Sequence, residues 1–211
     1  MRTMKKKFDI EAEKLYFEKH ELPRKYFSLD ADLVERIFVF CSNSKEWPSF
    51  IDGSIILELG AGECPYTDYI LEKVRSPLYI ATDLFPERMR QKKNALKSSV
   101  MAYVGANMFS LPLKNDSIDF CMAQGLLHHL PNLEDAFAEI SRVVKKKGHF
   151  IFREPWAGNP LVWLKYKIIE KSQNEFPLTQ RKIKDCLRLH GFKLLHLTRF
   201  WLRFPGLPPG P

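Results

Sequence analysis

Two glycines and a carboxylate stand at a spacing that suits a ligand carrying a ribose. Gly60 and Gly62 follow one short apolar run, and Asp83 ends the next such run, 21 residues beyond Gly62. Glycines allow a tight turn and a close approach of the backbone to a ligand, and a carboxylate at that distance can accept two hydrogen bonds from ribose hydroxyls. Two plainer interpretations stay open: a structural glycine turn, and Asp83 as the cap of a helix over 86–97.

A third apolar run ends in a side chain that could recognise a base. Asn107 can both donate and accept hydrogen bonds, which suits the edge of an adenine, and Met108 could pack on the ring. The alternative is a plain Asx-turn, in which the amide bonds to its own backbone.

The sequence offers no pattern for a metal site or a disulfide framework. Its four cysteines are at least 23 residues apart and lack a nearby histidine that would complete a ligand set: Cys41, Cys64, Cys121 and Cys186. The adjacent residues His128 and His129 cannot share one helix face, which disfavours a paired site. We therefore expect no metal ion and a reduced, cytoplasmic protein, with peripheral association with a membrane left open.

These residues must be positioned by the secondary structure around them. Short apolar runs predict strands at 54–60, 77–83, 100–107, 117–124 and 149–155, and amphipathic stretches predict helices at 65–74, 86–97 and 133–145. Beyond them we predict helices over 160–172 and 179–190, the latter ending at Gly191, and a strand over 192–199. This alternation indicates an α/β fold with a doubly wound, mostly parallel, Rossmann-like sheet and helices on both faces.

The charge of the chain is concentrated in its last quarter. The 211 residues carry a formal net charge of +8, of which residues 1–154 hold +1 and residues 155–211 hold +7, together with three of the four tryptophans. No apolar run approaches the length of a membrane span. The total charge favours an acidic partner, either nucleic acid or an anionic membrane surface. Its concentration in a basic, aromatic end favours the membrane surface, and the nearly neutral first 154 residues disfavour nucleic acid.

Residues 54–155 resemble the class I S-adenosylmethionine-dependent methyltransferases, in the type 11-like group that includes the ubiquinone and menaquinone C-methyltransferases and many small-molecule enzymes. Six blocks carry the resemblance, in this order: ILELGAGE, TDLFP, VGANMFSLPLKNDSIDF, GLLHHLPN, LEDAFAEISRVVKKKGHF and FIFREP. The pattern of elements and the resemblance together predict four parts: an N-terminal helical cap (1–50), a cofactor-binding core (51–155), a lid over the acceptor site (156–178) and a C-terminal helix, strand and proline-rich end (179–211).

The same resemblance implies a set of residues that bind S-adenosylmethionine. They are Glu58, Gly60, Ala61, Gly62, Asp83, Leu84, Asn107, Met108 and Gln124. In the family Asp83 would bind the ribose hydroxyls, Leu84 would pack on the adenine, and Gln124 would lie near the methionine end. Asn107 stands where many members have Asp, and the loop KKKG (145–148) stands where K-P-G-G is usual.

A base would be needed if the acceptor atom were a hydroxyl or an acidic carbon. His128, His129 and Glu154 stand at or just beyond strand ends and are the candidates. Each also has a structural interpretation, in which His129 caps a loop and Glu154 pairs with Arg153 or Arg142.

The resemblance and the tail together predict a methyltransferase that uses S-adenosylmethionine, releases S-adenosylhomocysteine and acts on a small, apolar or lipid-linked acceptor. The basic amphipathic helix over 160–172 would be a lid or a membrane-surface element. An RNA methyltransferase and a non-catalytic S-adenosylmethionine-binding protein are the alternatives, whereas Pro65 disfavours a nicotinamide oxidoreductase. Only 12 residues follow Arg199, so we expect either that the family's last antiparallel strand is missing or that the sequence stops short of a longer protein.

Overall fold

The computed structural model describes residues 52–62, 67, 70–71, 74–87, 89, 101–155, 158, 178–195 and 197. Its strands are β1 (Ile55–Leu59), β2 (Leu78–Asp83), β3 (Met101–Gly105), β4 (Ile118–Gln124) and β5 (Val144–Arg153). Helix α1 (Leu133–Val143) precedes β5, helix α2 (Gln180–Leu189) follows it, and a 3-10 turn (Leu127–His129) follows β4. In the stretches predicted as helices over 65–74 and 86–97, the described residues 67, 70–71, 87 and 89 are helical, whereas Val74 and Pro86 are not. The predicted cap (1–50) and the helix over 160–172 lie outside the described residues.

The five strands form one sheet in the order β3-β2-β1-β4-β5. Every neighbouring pair is parallel. The chain therefore winds outward from β1 in one direction through β2 and β3 and in the other through β4 and β5. This arrangement confirms the predicted doubly wound α/β fold, and it places a crevice between the carboxyl ends of β1 and β4, where such folds bind ligands.

Each face of the sheet has its own apolar core because successive residues of a strand point to opposite faces. On one face Leu57 belongs to the same cluster as Phe137 of α1. On the other face Ile56 packs in a cluster with Ile70 and Met89, which are helical residues. Helices thus cover both faces, and the strand ends are left as the place where polar groups collect.

Helix α1 ends directly at the start of β5, whereas the sequence predicts the loop KKKG (145–148) between them. The pairing of β4 with β5 moves from Ile118↔Val144 to Phe120↔His149, so an advance of two residues along β4 corresponds to five along β5. The predicted loop is therefore wrong. KKKG is an irregular stretch within the strand, and it absorbs the change in register.

Helix α2 agrees with the prediction, and the segment after it does not. Thr179 caps the helix by accepting the N–H of Lys182 at 3.2 Å, and Gly191 follows its end with a φ of +77°. Residues 192–195 and 197 have no regular secondary structure, so the strand predicted over 192–199 is wrong for these residues. A strand needs a neighbour that pairs with its backbone groups, and in the described part of the chain the sheet ends at β5.

Candidate active site

The turn after β1 is held tightly at the carboxyl edge of the sheet. Gly60 and Gly62 have φ angles of +62° and +52°, in the region that favours glycine. Between them, Ala61 donates its N–H to the carbonyl oxygen of Thr82 at 2.9 Å. A side chain at residue 60 would also collide with Leu126, because its Cβ would lie 2.8 Å from Cδ1. The glycine turn therefore lies between the end of β2 and the segment that follows β4.

Asp83, the last residue of β2, binds this turn directly. Its Oδ2 accepts the N–H of Gly62 at 2.8 Å, and its Oδ1 accepts the N–H of Phe85 at 2.9 Å. The second bond is the local capping contact that the sequence offered as an alternative, and the first joins the carboxylate to the glycine turn. Since a carboxylate can accept about four hydrogen bonds, the two roles are compatible with ribose binding. Leu84, the next residue, is half-buried.

Glu58 lies beneath the glycine turn and is 2% exposed. Its Oε2 accepts the hydroxyl of Tyr79 at 2.6 Å and the hydroxyl of Thr67 at 3.0 Å. Burial raises the pKa of Glu58 to about 7, the nearby charge of Asp83 acts in the same direction, and the two hydroxyls act against it. Ionisation of Glu58 therefore costs free energy unless a positively charged group lies close to it.

The hydroxyl partners of Glu58 were missing from the residues selected by sequence. Tyr79 is fully buried in β2, and Thr67 is fully buried in the helical stretch after the glycine turn. A hydroxyl in an otherwise apolar strand is the one signal that could have drawn attention to Tyr79, but it does not identify the partner.

Gln124 ends β4 and contributes an acceptor to the same edge. Its side-chain oxygen is buried and has no hydrogen-bond donor among the described residues. The next residue, Gly125, has a φ of +62°, so the chain turns sharply at this point. Because buried polar atoms are almost always hydrogen-bonded, this oxygen is available to a donor on a ligand, and the place of Gln124 near the methionine end of the cofactor stays a prediction.

Glu154 and His128 form a buried pair on the β4–β5 side. Oε2 of Glu154 lies 2.6 Å from Nδ1 of His128, and the ring of His129 packs against that of His128 with centroids 4.1 Å apart. The alternative pairing of Glu154 with Arg142 is wrong. Arg142 instead pairs with Glu139 at 2.7 Å, and the ring of His128 is a partner of Glu154. The alternative pairing with Arg153 stays a prediction.

The structure favours the plainer interpretation of Asn107 and Met108. Oδ1 of Asn107 accepts the N–H of Phe109 at 3.0 Å, which is an Asx-turn, and Met108 is buried in the larger apolar core. The N–H of Ala106, one residue earlier, donates to the carbonyl oxygen of Asp83 at 2.9 Å. Both residues therefore lie near the site, and their contact with an adenine stays a prediction.

The described residues contain neither a cluster of metal ligands nor a membrane-spanning helix. Among them, no group of three or more histidine, cysteine, aspartate or glutamate side chains is arranged to hold a metal ion. Within the same part of the chain, no helix has the length and apolar character required to cross a membrane.

Comparison with known proteins gives one consistent result. Residues 57–152 match a family described as a methyltransferase domain. An uncharacterised chloroplastic methyltransferase of Arabidopsis thaliana is 26% identical over 160 residues, which are 70% of this chain and 44% of that protein. The chain thus spans less than half the length of that relative.

Two solved structures share the fold. An S-adenosylmethionine-dependent methyltransferase of Aquifex aeolicus superposes with a TM-score of 0.60 and 18% identity, covering 88% of this chain and 89% of that one. Another, from Mesorhizobium loti, gives 0.58 and 20%, with 73% and 83% covered. At such identities the likeness establishes the architecture.

The residues at the strand ends fit the cofactor of this family. S-adenosylmethionine carries a sulfonium and an ammonium group, so it is attracted to carboxylates and to carbonyl acceptors. Glu58 and Asp83 provide buried carboxylates, and Gln124 provides the buried oxygen that lacks a donor in the described part of the chain. The resemblance predicted from the sequence is confirmed: residues 57–152 match a methyltransferase domain, and the fold is that of S-adenosylmethionine-dependent methyltransferases.

Proposed function

We propose that the protein transfers a methyl group from S-adenosylmethionine, by in-line displacement, to a small acceptor that is apolar or lipid-linked. The observation that carries the proposal is the 2.8 Å bond between the N–H of Gly62 and Asp83. It joins the glycine turn to the carboxylate that the ribose would need, at the crevice between β1 and β4. The buried oxygen of Gln124 adds an acceptor for the ammonium group.

In this proposal the chain acts mainly by holding two reactants in line. S-adenosylmethionine supplies a methyl group that is already activated by the positive sulfur. Asp83 fixes the ribose, and the glycine turn allows the backbone to approach it closely. Positioning of this kind can supply on the order of 7 to 11 kcal/mol of the barrier.

The acceptor class is inferred from the later part of the chain. Residues 155–211 hold +7 of the net charge and three of the four tryptophans. In the described segment, Leu189, Leu195 and Leu197 are 65%, 71% and 49% exposed, next to a helix whose Arg181 and Arg188 side chains are also exposed. Apolar and cationic groups side by side suit an anionic lipid surface, which supports a membrane-borne acceptor and a peripheral location. The predicted lid (156–178) would close the site over it.

Calorimetry with S-adenosylmethionine and S-adenosylhomocysteine tests cofactor binding. We expect Asp83→Asn to weaken binding by roughly 10- to 100-fold, because hydrogen bonds to charged groups contribute about 1.5–3 kcal/mol. The matched control is Asp119→Asn, a strand carboxylate that also accepts a backbone N–H, from Ile55 at 3.0 Å, but lies at the opposite end of the sheet. Equal losses in both variants, or no binding by the unaltered protein, would contradict the proposal.

Transfer of labelled methyl groups tests the acceptor. The protein is incubated with methyl-labelled S-adenosylmethionine and, separately, a lipid extract, an aqueous small-molecule extract and total RNA. We expect label in the lipid extract, and flotation of the protein with anionic but not neutral liposomes at low salt. Label in RNA alone would support the nucleic-acid alternative, and binding of the cofactor without transfer to any fraction would support a non-catalytic role.

A further inference from the structure

A buried carboxylate and a buried histidine are held together by the segments that follow β4 and β5. The side chains of Glu154 and His128 are 4% and 9% exposed. They are 26 residues apart in the chain, yet Oε2 and Nδ1 are separated by 2.6 Å, a distance typical of a charge-assisted hydrogen bond.

The other bonds of Glu154 determine which ring nitrogen carries the proton. Its Oε1 accepts the N–H groups of Leu126 and Leu127 at 3.0 and 2.7 Å, and its Oε2 accepts the N–H of His128 at 3.4 Å. The carboxylate is an acceptor in each of these bonds, and it has no proton to give when it is ionised. The bond to the ring therefore requires a proton on Nδ1, and in the neutral imidazole that has this proton the lone pair is on Nε2.

The turn that follows β4 connects the pair to the glycine turn that follows β1. A Cβ placed on Gly125 would be 3.8 Å from Cε1 of His128, the carbon between the two ring nitrogens. Leu126, whose N–H binds Glu154, contacts Gly60 through its side chain. One turn of chain thus joins the carboxylate, the histidine and the predicted cofactor site.

We infer that His128 is the base of the methyl transfer, acting through Nε2, and that Glu154 is the positioning residue that fixes its tautomer. The inference rests on the proposed function. It narrows the acceptor to a compound whose attacking atom carries a proton, which means that this atom is the oxygen of a hydroxyl or an acidic carbon. The acceptor atom forms a bond to the methyl carbon while the carbon–sulfur bond breaks. The electron pair of the broken carbon–sulfur bond stays on sulfur. The proton of the acceptor passes to Nε2, and the imidazolium that forms faces the carboxylate of Glu154.

The first test needs no acceptor. The full chain is labelled with nitrogen-15 in its histidines, and the tautomer of His128 is determined by long-range proton–nitrogen NMR. We expect a protonated Nδ1 and a basic Nε2. We expect Glu154→Gln, whose amide can donate to Nδ1, to shift His128 towards the opposite tautomer. A basic Nδ1 in the unaltered protein would overturn the inference even if that variant failed to fold.

The second test uses methyl-labelled S-adenosylmethionine and the extract fraction that accepts the label. General acid–base groups contribute about 10²- to 10⁴-fold, so we expect His128→Asn to lower kcat by at least 100-fold and Glu154→Gln by about 10-fold or more. The affinity for S-adenosylhomocysteine should change by less than about 3-fold. The control is His149→Asn, an exposed histidine on β5, which should retain its activity.

The outcomes separate this inference from the proposal beneath it. If the unaltered protein does not bind or use S-adenosylmethionine, the proposed function fails while the tautomer result stands. If the protein transfers methyl groups but His128→Asn and Glu154→Gln keep the kcat of His149→Asn, the function stands and the inference is overturned. Equal loss of kcat and of S-adenosylhomocysteine binding would assign both residues a structural role and would also overturn it.

Discussion

Among the described residues, two carboxylates at the amino ends of the strands are paired with arginine or lysine, whereas Glu58 and Glu154 at the carboxyl ends are held by hydroxyls, backbone N–H groups and a histidine. Asp52 lies 2.7 Å from Arg75, and Asp119 lies 2.7 Å from Lys145. The pKa of Asp52 is lowered by hydrogen bonds from Arg75; for Asp119, burial opposes the shift, but the bond from Lys145 still lowers the pKa. Glu58, by contrast, accepts two hydroxyls at the carboxyl end, and burial raises its pKa to about 7.

The difference shows that the two ends of the strands serve different purposes. We call the side of the sheet where the strands begin the amino edge, and the side where they end the carboxyl edge. At the amino edge the protein's own cations balance the acidic groups, so those groups contribute to folding and have nothing further to bind. At the carboxyl edge, Glu58 and Glu154 are held by hydroxyls, backbone N–H groups and a histidine. A cationic ligand would complete the balance there. Substitutions at the amino edge should therefore change stability alone, and those at the carboxyl edge should change ligand affinity and pH dependence as well.

The largest loss of stability is expected from Gly148→Ala, at the amino edge. A Cβ at this residue would lie 2.9 and 3.0 Å from the carbonyl oxygens of Asp119 and Ile118, and 2.8 Å from Cγ1 of Val144. Backbone atoms of β4 cannot move aside easily, so β5 must shift, and we expect a loss of about 3 kcal/mol in the free energy of unfolding. Urea denaturation measures it.

Calorimetry on the folded fraction of Gly148→Ala tests whether a change at the amino edge leaves ligand binding at the carboxyl edge unaltered. Its affinity for S-adenosylmethionine should match that of the unaltered protein. A variant that kept its stability but lost the ligand would show that the two edges are not independent.

The next effect is a pH dependence at the carboxyl edge. The folded pKa of Glu58, about 7, lies above the pKa of 4.5 that an unburied glutamate has. Between these values the unfolded chain releases the proton and the folded chain keeps it, so stability is fully present below pH 4.5 and is lost as pH rises towards 7. Glu58→Gln cannot ionise. Between these two pKa values, its folding equilibrium constant relative to that of the unaltered protein should therefore rise roughly tenfold for each pH unit.

Urea unfolding of the ligand-free protein at pH 5, 6, 7 and 8 checks the direction. The advantage of Glu58→Gln should grow with pH and level off above about 7. For Asp119→Asn the difference should stay constant over this range, because the pKa of Asp119 is lowered from 3.8 and its contribution is lost only as pH falls below that value. Parallel curves for the two variants would remove the distinction between the edges.

The parts of the site that sequence predicts correctly depend on short-range geometry. Gly60 and Gly62 need no partner to indicate a tight turn, and Gly191 ends α2 where a C′ glycine is expected. The sequence places Asp83 beside the glycine turn because the distance from such a turn to the end of the next parallel strand varies little, and its contact with a ribose stays a prediction. The fold class followed from the regular alternation of strands and helices.

The parts that sequence could not predict depend on which strands become neighbours. Tyr79 meets Glu58 because β2 lies beside β1, and His128 meets Glu154 because β4 lies beside β5. Such pairings join residues 21 and 26 positions apart and leave no local pattern. The strand predicted over 192–199 failed for the same reason, since an apolar pattern does not state whether a partner strand is present.

The smallest effect is expected from Lys145→Met, also at the amino edge. The side chains of Lys145 and Asp119 are 41% and 32% exposed, so water screens the pair and its loss should cost about 0.5 kcal/mol. Asp119 would still accept the N–H of Ile55 at 3.0 Å, which keeps the start of β1 in place. Thermal unfolding in low and high salt measures the effect, and the difference from the unaltered protein should shrink as salt rises. A loss as large as that of Gly148→Ala would mean that this cation, rather than the packing of the glycine, holds β5 in its irregular register.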